Sequence, residues 1–184
     1  MRRALAKFAA AMDRRKVSYA LIGGLATSYR SQPRFTKDID FLVNVPQLVL
    51  APLLEDLRGR GFEFDTLATI SQWNQHHMVV LSYHGIGIDW LKPVIPAYRH
   101  VLDRATEESW LDHSIRIASV EGLILLKLLA FRGQDQVDVE NLVAASRETL
   151  DLDWIKSEWR ALADVDDPRM LRLLEWVGKT RSPS

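Results

Sequence analysis

Two aspartates stand two residues apart inside an apolar run, Asp38-Ile39-Asp40-Phe41-Leu42-Val43. Residues two apart on a strand face the same way, so Asp38 and Asp40 share one face while Ile39 and Phe41 pack behind them. Like charges this close raise each other's pKa unless something positive lies between them. A hard divalent cation that takes oxygen ligands, Mg²⁺ or Mn²⁺, is the natural occupant. A third acid, Asp89, sits in another apolar run, between Ile88 and Trp90. It reads either as a strand-end acid or as a partner of the pair. Three strand-borne carboxylates suit an in-line displacement at phosphorus, with one ion on the attacking oxygen and one near the leaving group.

Other residues fit the same chemistry. Gly23-Gly24 end one strand and open a helix, where backbone N–H groups and the positive helix end meet a phosphate at close range. Carboxylates and a phosphate seat separated by one short helix point to a nucleoside triphosphate. Lys127 stands among leucines, where an unpaired ammonium is costly, so it either serves a site or snorkels to solvent. Arg34 and Thr36 either shape the loop before Asp38 or touch substrate. Arg132, Asp135 and Asp138 form either a surface ion-pair network or part of the site. His76 and His77, adjacent on an expected strand, face opposite ways and do not share a metal. Trp90, beside Asp89, and Trp73 are the tryptophans with a candidate stacking role; the rest read as core.

These residues need elements to hold them. Helical spacing of Leu5, Phe8, Ala9 and Met12 predicts a helix over 3–16. Strands are expected at 17–22 and 38–43, with a short helix from Leu25 to Arg30 between them. Pro46 opens a helix that stops near Gly61. Short strands follow at 62–65, 77–82 and 86–91, the last two a hairpin through Tyr83-His84-Gly85. A helix spans 97–104, and a second hairpin joins 109–111 to 114–118 through Asp112-His113. Ser119 caps a helix through Phe131, and helices near 135–147, 152–163 and 168–178 complete the chain. The expected class is α/β (α+β): a mixed sheet flanked by helices over 1–118, with a helical segment over 119–184 packed on it as one unit.

Composition narrows the alternatives. The chain has 184 residues and no cysteine, which excludes disulfides and thiolate chemistry. No apolar run reaches the roughly 18 residues of a membrane span, and a cytoplasmic location is expected. Formal charge is +0, yet nine basic residues and Asp13 alone occupy the first 37 positions, while acids dominate 135–167. Such asymmetry marks either a polyanion-facing side or solvated helix faces.

Ile22-Gly23-Gly24, thirteen residues, then Asp38-Ile39-Asp40-Phe41 resembles the signature of the DNA polymerase β-type nucleotidyltransferase superfamily, and Asp89 matches its third acid. Arg34-x-Thr36-x-Asp38-Ile39-Asp40-Phe41 resembles a narrower branch, the AbiEii-like nucleotidyltransferases of bacterial abortive-infection and toxin–antitoxin systems. That branch's later motif reads here as Lys127, Arg132, Asp135 and Asp138, with Gln134 where a lysine is common. The resemblance covers residues 17 to 143. It implies transfer of a nucleoside monophosphate from an NTP to a hydroxyl, with release of pyrophosphate. Asp38, Asp40 and Asp89 would hold Mg²⁺ (or Mn²⁺), Asp89 doubling as general base. Gly23, Gly24, Arg34, Thr36 and Arg132 would bind the nucleotide, Lys127 would contact the triphosphate and act catalytically by neutralising charge on the leaving pyrophosphate, and Asp135 or Asp138 would support the site. It further implies RNA, with a tRNA end as the leading candidate, as acceptor and a cognate antitoxin as partner. A protein acceptor, a small-molecule acceptor with an acidic pocket, and a catalytically silent partner are the rival readings.

Overall fold

The stripe of Leu5, Phe8, Ala9 and Met12 is buried along one side of the first helix, α1 (Arg2–Arg14). This is seen in a computed structural model that describes residues 1–110, 113–164 and 166–181. In chain order there follow β1 (Ser18–Ile22), α2 (Gly23–Arg30), β2 (Ile39–Asn44), α3 (Gln47–Gly59), α4 (Thr66–Gln75), β3 (Met78–Tyr83) and β4 (Ile86–Leu91). Then come α5 (Pro96–Asp103), β5 (Thr106–Trp110), β6 (His113–Ile117), α6 (Val120–Ala130), α7 (Gly133–Ala145), α8 (Leu152–Arg160) and α9 (Pro168–Arg181).

The strands form one mixed sheet in the order β3-β4-β2-β1-β6-β5. β1 and β2 are antiparallel neighbours near its middle, and each has a parallel neighbour outside, β6 and β4 respectively. Helices pack on both faces, as the near-continuous apolar runs of β1 and β2 require. On one face Phe8 of α1 stacks on Phe41, with ring centroids 3.9 Å apart, and meets Trp90 edge-on at 5.6 Å. α3 and α4 extend this layer, and Trp73 of α4 packs edge-to-face on Trp90. On the other face lie α2, α5 and α6, and α7 and α8 pack in turn against α6.

Strand alternation sets the orientation of the acids. Phe41 and Trp90 are buried against α1, so their neighbours Asp40 and Asp89 face the side of α2 and α6. Trp73 and Trp90, 1% and 0% exposed, are therefore core residues and not stacking platforms.

Several local expectations are corrected. The strand at 62–65 reduces to one bridge, Glu63 to Ser82. The helix after it, α4, buries only Thr69 and Trp73, too few for a helical stripe to show in the sequence. Asp65 caps it, its carboxylate accepting the Ala68 N–H at 2.7 Å. His76 ends that helix, and His77 takes a left-handed turn (φ 59) into β3, so the histidines are not a strand pair. The β3–β4 turn has φ 49 at His84 and 78 at Gly85, the doubly left-handed geometry of a two-residue hairpin. The turn of the β5–β6 hairpin, expected at Asp112-His113, begins outside the described residues. Ser119 caps α6 as expected, accepting the Gly122 N–H at 3.1 Å. Among the described residues no helix is long and apolar enough to cross a membrane.

Phe8 joins α1 to the sheet through three rings. Phe8→Ala is expected to lower the unfolding free energy by about 3–5 kcal/mol, read from the midpoint of urea denaturation. A loss under about 1 kcal/mol would mean that α1 is not a load on the core.

Candidate active site

Asp40 lies at the middle of the sheet, paired in register with Ile22 of β1 on one side and Asp89 of β4 on the other. Its carboxylate rests against Gly23, where a Cβ would overlap the carboxylate oxygen. Gly23 also has φ 66, a left-handed conformation that side chains disfavour, so both space and backbone call for glycine. The Gly24 N–H donates to Asp40. A Cβ on Gly24 would stand 2.7 Å from the Arg34 guanidinium. The paired glycines thus let a carboxylate and a guanidinium close on the start of α2, and Gly24's N–H is committed to the carboxylate.

Asp38, exposed just before β2, lies over Gly87 of β4, where a Cβ would come within 2.6 Å of its carboxylate oxygen. A glycine inside a strand is the sequence mark of such close approach, and Gly87 is the site residue that sequence reading passes over. Among the described residues no Lys, Arg or His forms an ion pair with Asp38, Asp40 or Asp89. Burial first, then repulsion from Asp89 and more weakly from Asp38, pushes Asp40 up to about 6, against opposing pulls from the Gly24 N–H and Lys127. Burial and the charge of Asp38 raise Asp89 as well.

A second set of charges is arranged the opposite way. Asp138 of α7 is 0% exposed yet accepts from Lys127 Nζ at 2.6 Å, Arg34 Nη2 at 2.9 Å and Gln134 Nε2 at 3.1 Å. Burial works to raise its pKa, but these three donors outweigh it and hold the carboxyl below the usual range. Lys127 also meets Asp135 at 3.4 Å, so its ammonium is buried and paired, not snorkelling. Gln134, which replaces the lysine of the resembled motif, serves as an Asp138 donor. Asp135 accepts the Arg132 N–H at 3.1 Å and fixes the start of α7. Thr36 donates to the Asp38 carbonyl at 3.3 Å and shapes the loop, while its side chain lines the cleft.

The two sets face each other across one cleft with two lobes. Gly23, Asp40, Lys127, Arg132 and Asp135 line both. The polar lobe, about 240 Å³, adds Gly24, Arg34, Thr36, Asp38 and Gln134. The other, about 340 Å³, is walled by Ile22, Met78, Leu91, Tyr98, Leu123 and Leu126. Asp89 and Asp138 are not in either lining, but Asp89 adjoins Asp40 in register and Asp138 holds Arg34 and Lys127 in place. The apolar wall, from the end of β1 and from β3, β4, α5 and α6, carries no chemical signature in sequence.

Among the described residues no group of three His, Cys, Asp or Glu side chains converges tightly enough to hold one metal ion. The donor chemistry nevertheless fits a hard cation. Mg²⁺ commonly takes one or two carboxylates and completes its shell with phosphate oxygens and water, and Asp38 and Asp40 offer two carboxylates that no basic side chain neutralises.

Asp40 holds its proton more tightly folded (about 6) than at its ordinary value of 3.8. Its contribution to stability is therefore full below pH 3.8 and lost as pH rises through about 6. The metal-free protein should carry a penalty of up to about 3 kcal/mol at pH 8, at about 1.36 kcal/mol per unit. Asp40→Asn is expected to raise the Tm at pH 8 in EDTA and to change it little at pH 4; an equal shift at both would remove the electrostatic explanation. Asp138→Asn is expected to cost about 3–5 kcal/mol by stranding buried cations, measured by urea unfolding; a near-neutral result would show that Lys127 and Arg34 find other partners.

No curated protein matches the chain. Among solved structures it is similar to ANT(2″)-Ia in complex with adenylyl-2″-tobramycin, with a TM-score of 0.58 and 16% identity over 84% of this chain and 94% of that one. It is also similar to an antigenic nucleotidyltransferase-like protein from Paracoccidioides brasiliensis, with a TM-score of 0.49 and 15% identity over 93% and 90%. The first likeness shows a shared fold. The family model described as "Nucleotidyl transferase of unknown function (DUF2204)" matches residues 1–176, and the chain belongs to that nucleotidyltransferase family.

Proposed function

We propose that this enzyme transfers a nucleoside monophosphate from an NTP to a hydroxyl of RNA, with a tRNA end as the leading acceptor. The observation that carries the reading is Asp40: a carboxylate at the middle of a sheet, raised to about 6 by burial and two neighbouring acids and paired with no basic side chain. Charge left unbalanced in this way is stabilised by a bound cation and its polyphosphate ligand.

Asp38 and Asp40 would hold Mg²⁺ or Mn²⁺, with Asp89 as a further ligand from the adjoining strand. When bound, the metal supplies positive charge for the α-phosphate and for the leaving oxygen. The acceptor oxygen attacks the α-phosphorus, the bond from that phosphorus to the bridging oxygen breaks, and pyrophosphate leaves. Asp89, with its raised pKa, takes the hydroxyl proton. Arg34 and the start of α2 at Gly23 and Gly24 line the polar lobe that would receive the triphosphate. Arg132 is exposed in the shared part of the cleft and forms no ion pair among the described residues, so it is the cation freest to follow the leaving pyrophosphate. Lys127 adds fixed positive charge behind it.

In this reading residues 1–118 form the transferase core, and 119–184 complete it by supplying Lys127, Arg132 and Asp138. The likeness of the Arg34-to-Phe41 and Lys127-to-Asp138 motifs to the AbiEii-like branch extends the proposal to a cytoplasmic toxin with a cognate antitoxin. Both motifs meet at Asp138, through Arg34 and Lys127, which supports treating them as one unit. The cleft lining sets Arg34, Lys127 and Arg132 against Asp38, Asp40 and Asp135, with Thr36 and Gln134 as neutral polar members, and so is not the predominantly acidic pocket that a polycationic small molecule calls for.

The test is label transfer from each α-³²P NTP with Mg²⁺ to total tRNA, to cell protein and to aminoglycosides, beside an Asp38→Ala/Asp40→Ala control. Label on RNA that falls by at least about 1000-fold in the control is expected, as for loss of the charge-stabilising centre. Label on protein or on the small molecules alone would replace the RNA reading.

A further inference from the structure

A groove of about 550 Å³ runs between the first turns of α1 and the β3–β4 turn, away from the catalytic cleft. Arg2, Arg3, Lys7, Tyr83, His84 and His113 line it, and none of its lining residues is acidic. Among the described residues Arg2 and Arg3 make no ion pair. Lys7 is held by the Arg60 carbonyl at 2.7 Å and lies over the Tyr83 ring, contacts that fix its position without a carboxylate to cancel its charge.

Helix stability does not account for this cluster. Arg2 and Arg3 occupy the first turn of α1, at the positive end of its dipole, and no acid accompanies them there. Cations in that turn oppose the helix dipole, and their mutual repulsion adds to the penalty. The chain has as many acidic as basic residues, so the concentration of positive charge is local and not a reflection of overall composition.

The groove reaches the chemistry through the β3–β4 hairpin. His84 forms the turn, and three residues later Gly87 lies beneath the Asp38 carboxylate. At about 3.3 Å per residue the turn and Asp38 are roughly 10 Å apart along the strand. Tyr83 and Lys7 lie on the α1 side of the sheet and the acids on the other, so a ligand that touches both must pass round the hairpin's end. A flexible polyanion has that reach and a small acceptor does not.

We propose that this groove is a docking track for the sugar-phosphate backbone of a single-stranded RNA acceptor, holding nucleotides upstream of the one whose hydroxyl enters the cleft. The assignment rests on the RNA reading above. Phosphates in the track would be neutralised by Arg2, Arg3 and Lys7, with His84 and His113 as hydrogen-bond donors, and binding would weaken with salt as counterions are released.

The test measures anisotropy of a fluorescent 20-nucleotide oligouridylate over a salt series, using the wild type, Arg2→Glu/Arg3→Glu and the charge-keeping Arg2→Lys/Arg3→Lys. Charge reversal is expected to weaken RNA binding at least about tenfold and to lower the salt slope by about 1–2. The lysine pair should stay near wild type, Mg-ATP affinity should be unchanged in both variants, and the Tm should not fall in either, the glutamate pair gaining slightly from the helix dipole. Equal RNA affinity in all three proteins would overturn the track, as would wild-type binding to phosphatidylserine vesicles in place of RNA. Groove-dependent RNA binding without label transfer to RNA would keep the track and remove the RNA-acceptor reading instead.

Discussion

Asp138 is fully buried, and donors from three parts of the chain are committed to it: Arg34 before β2, Lys127 on α6 and Gln134 on its own helix. A buried carboxylate tolerates its charge only when each oxygen is satisfied. Meeting that requirement pins the Arg34 loop to α6 and α7. Arg34 in turn lies over Gly24, and the Gly24 N–H is held by Asp40. A chain of contacts thus runs from the C-terminal helices to the acid in the sheet, and loss of its buried anchor would loosen every member.

The two acid groups illustrate opposite solutions to the same problem. Asp138 is surrounded by donors and held ionised. Asp40 and Asp89 are raised by burial first and then by neighbouring acids, Asp89 and Asp38 acting on Asp40 and Asp38 on Asp89. Stability alone would favour neutral residues at the sheet positions. Unbalanced charge facing a cleft is the arrangement expected where a ligand completes the electrostatics. The glycines at 23, 24 and 87 serve this arrangement, each clearing space for one charged group.

The family assignment points to nucleotidyl transfer but does not identify the acceptor. The physical features that bear on it lie outside the acids: an apolar lobe walled by Met78, Leu91 and Tyr98, an exposed Arg132, and a basic groove round the β3–β4 hairpin. A polymer with phosphates and planar bases could use all three, whereas a compact polycation would be repelled by the two basic features. On the proposed reading, their separation along the hairpin would make acceptor recognition a property of the whole sheet end and not of the cleft alone.

Much of the chemistry was legible in local sequence. Asp38, Asp40 and Asp89 declare themselves because a charge inside a short apolar strand has few structural uses, and a period of two places it on a known face. The Ser119 cap and the first helix are likewise set by nearest neighbours. The α4 helix was not legible, since only Thr69 and Trp73 bury, and Trp90 read as a stacking candidate because sequence does not say which strand face the core covers. Lys127, Arg34 and Asp138 were visible as charged residues with two possible fates each. Only their convergence decided between those fates, because it depends on how α6 and α7 dock against a loop whose Arg34 lies 104 positions before Asp138. Residue type and short spacing determine which groups carry charge. Long-range register and helix packing decide which of those charges are neutralised, and so which remain for a ligand.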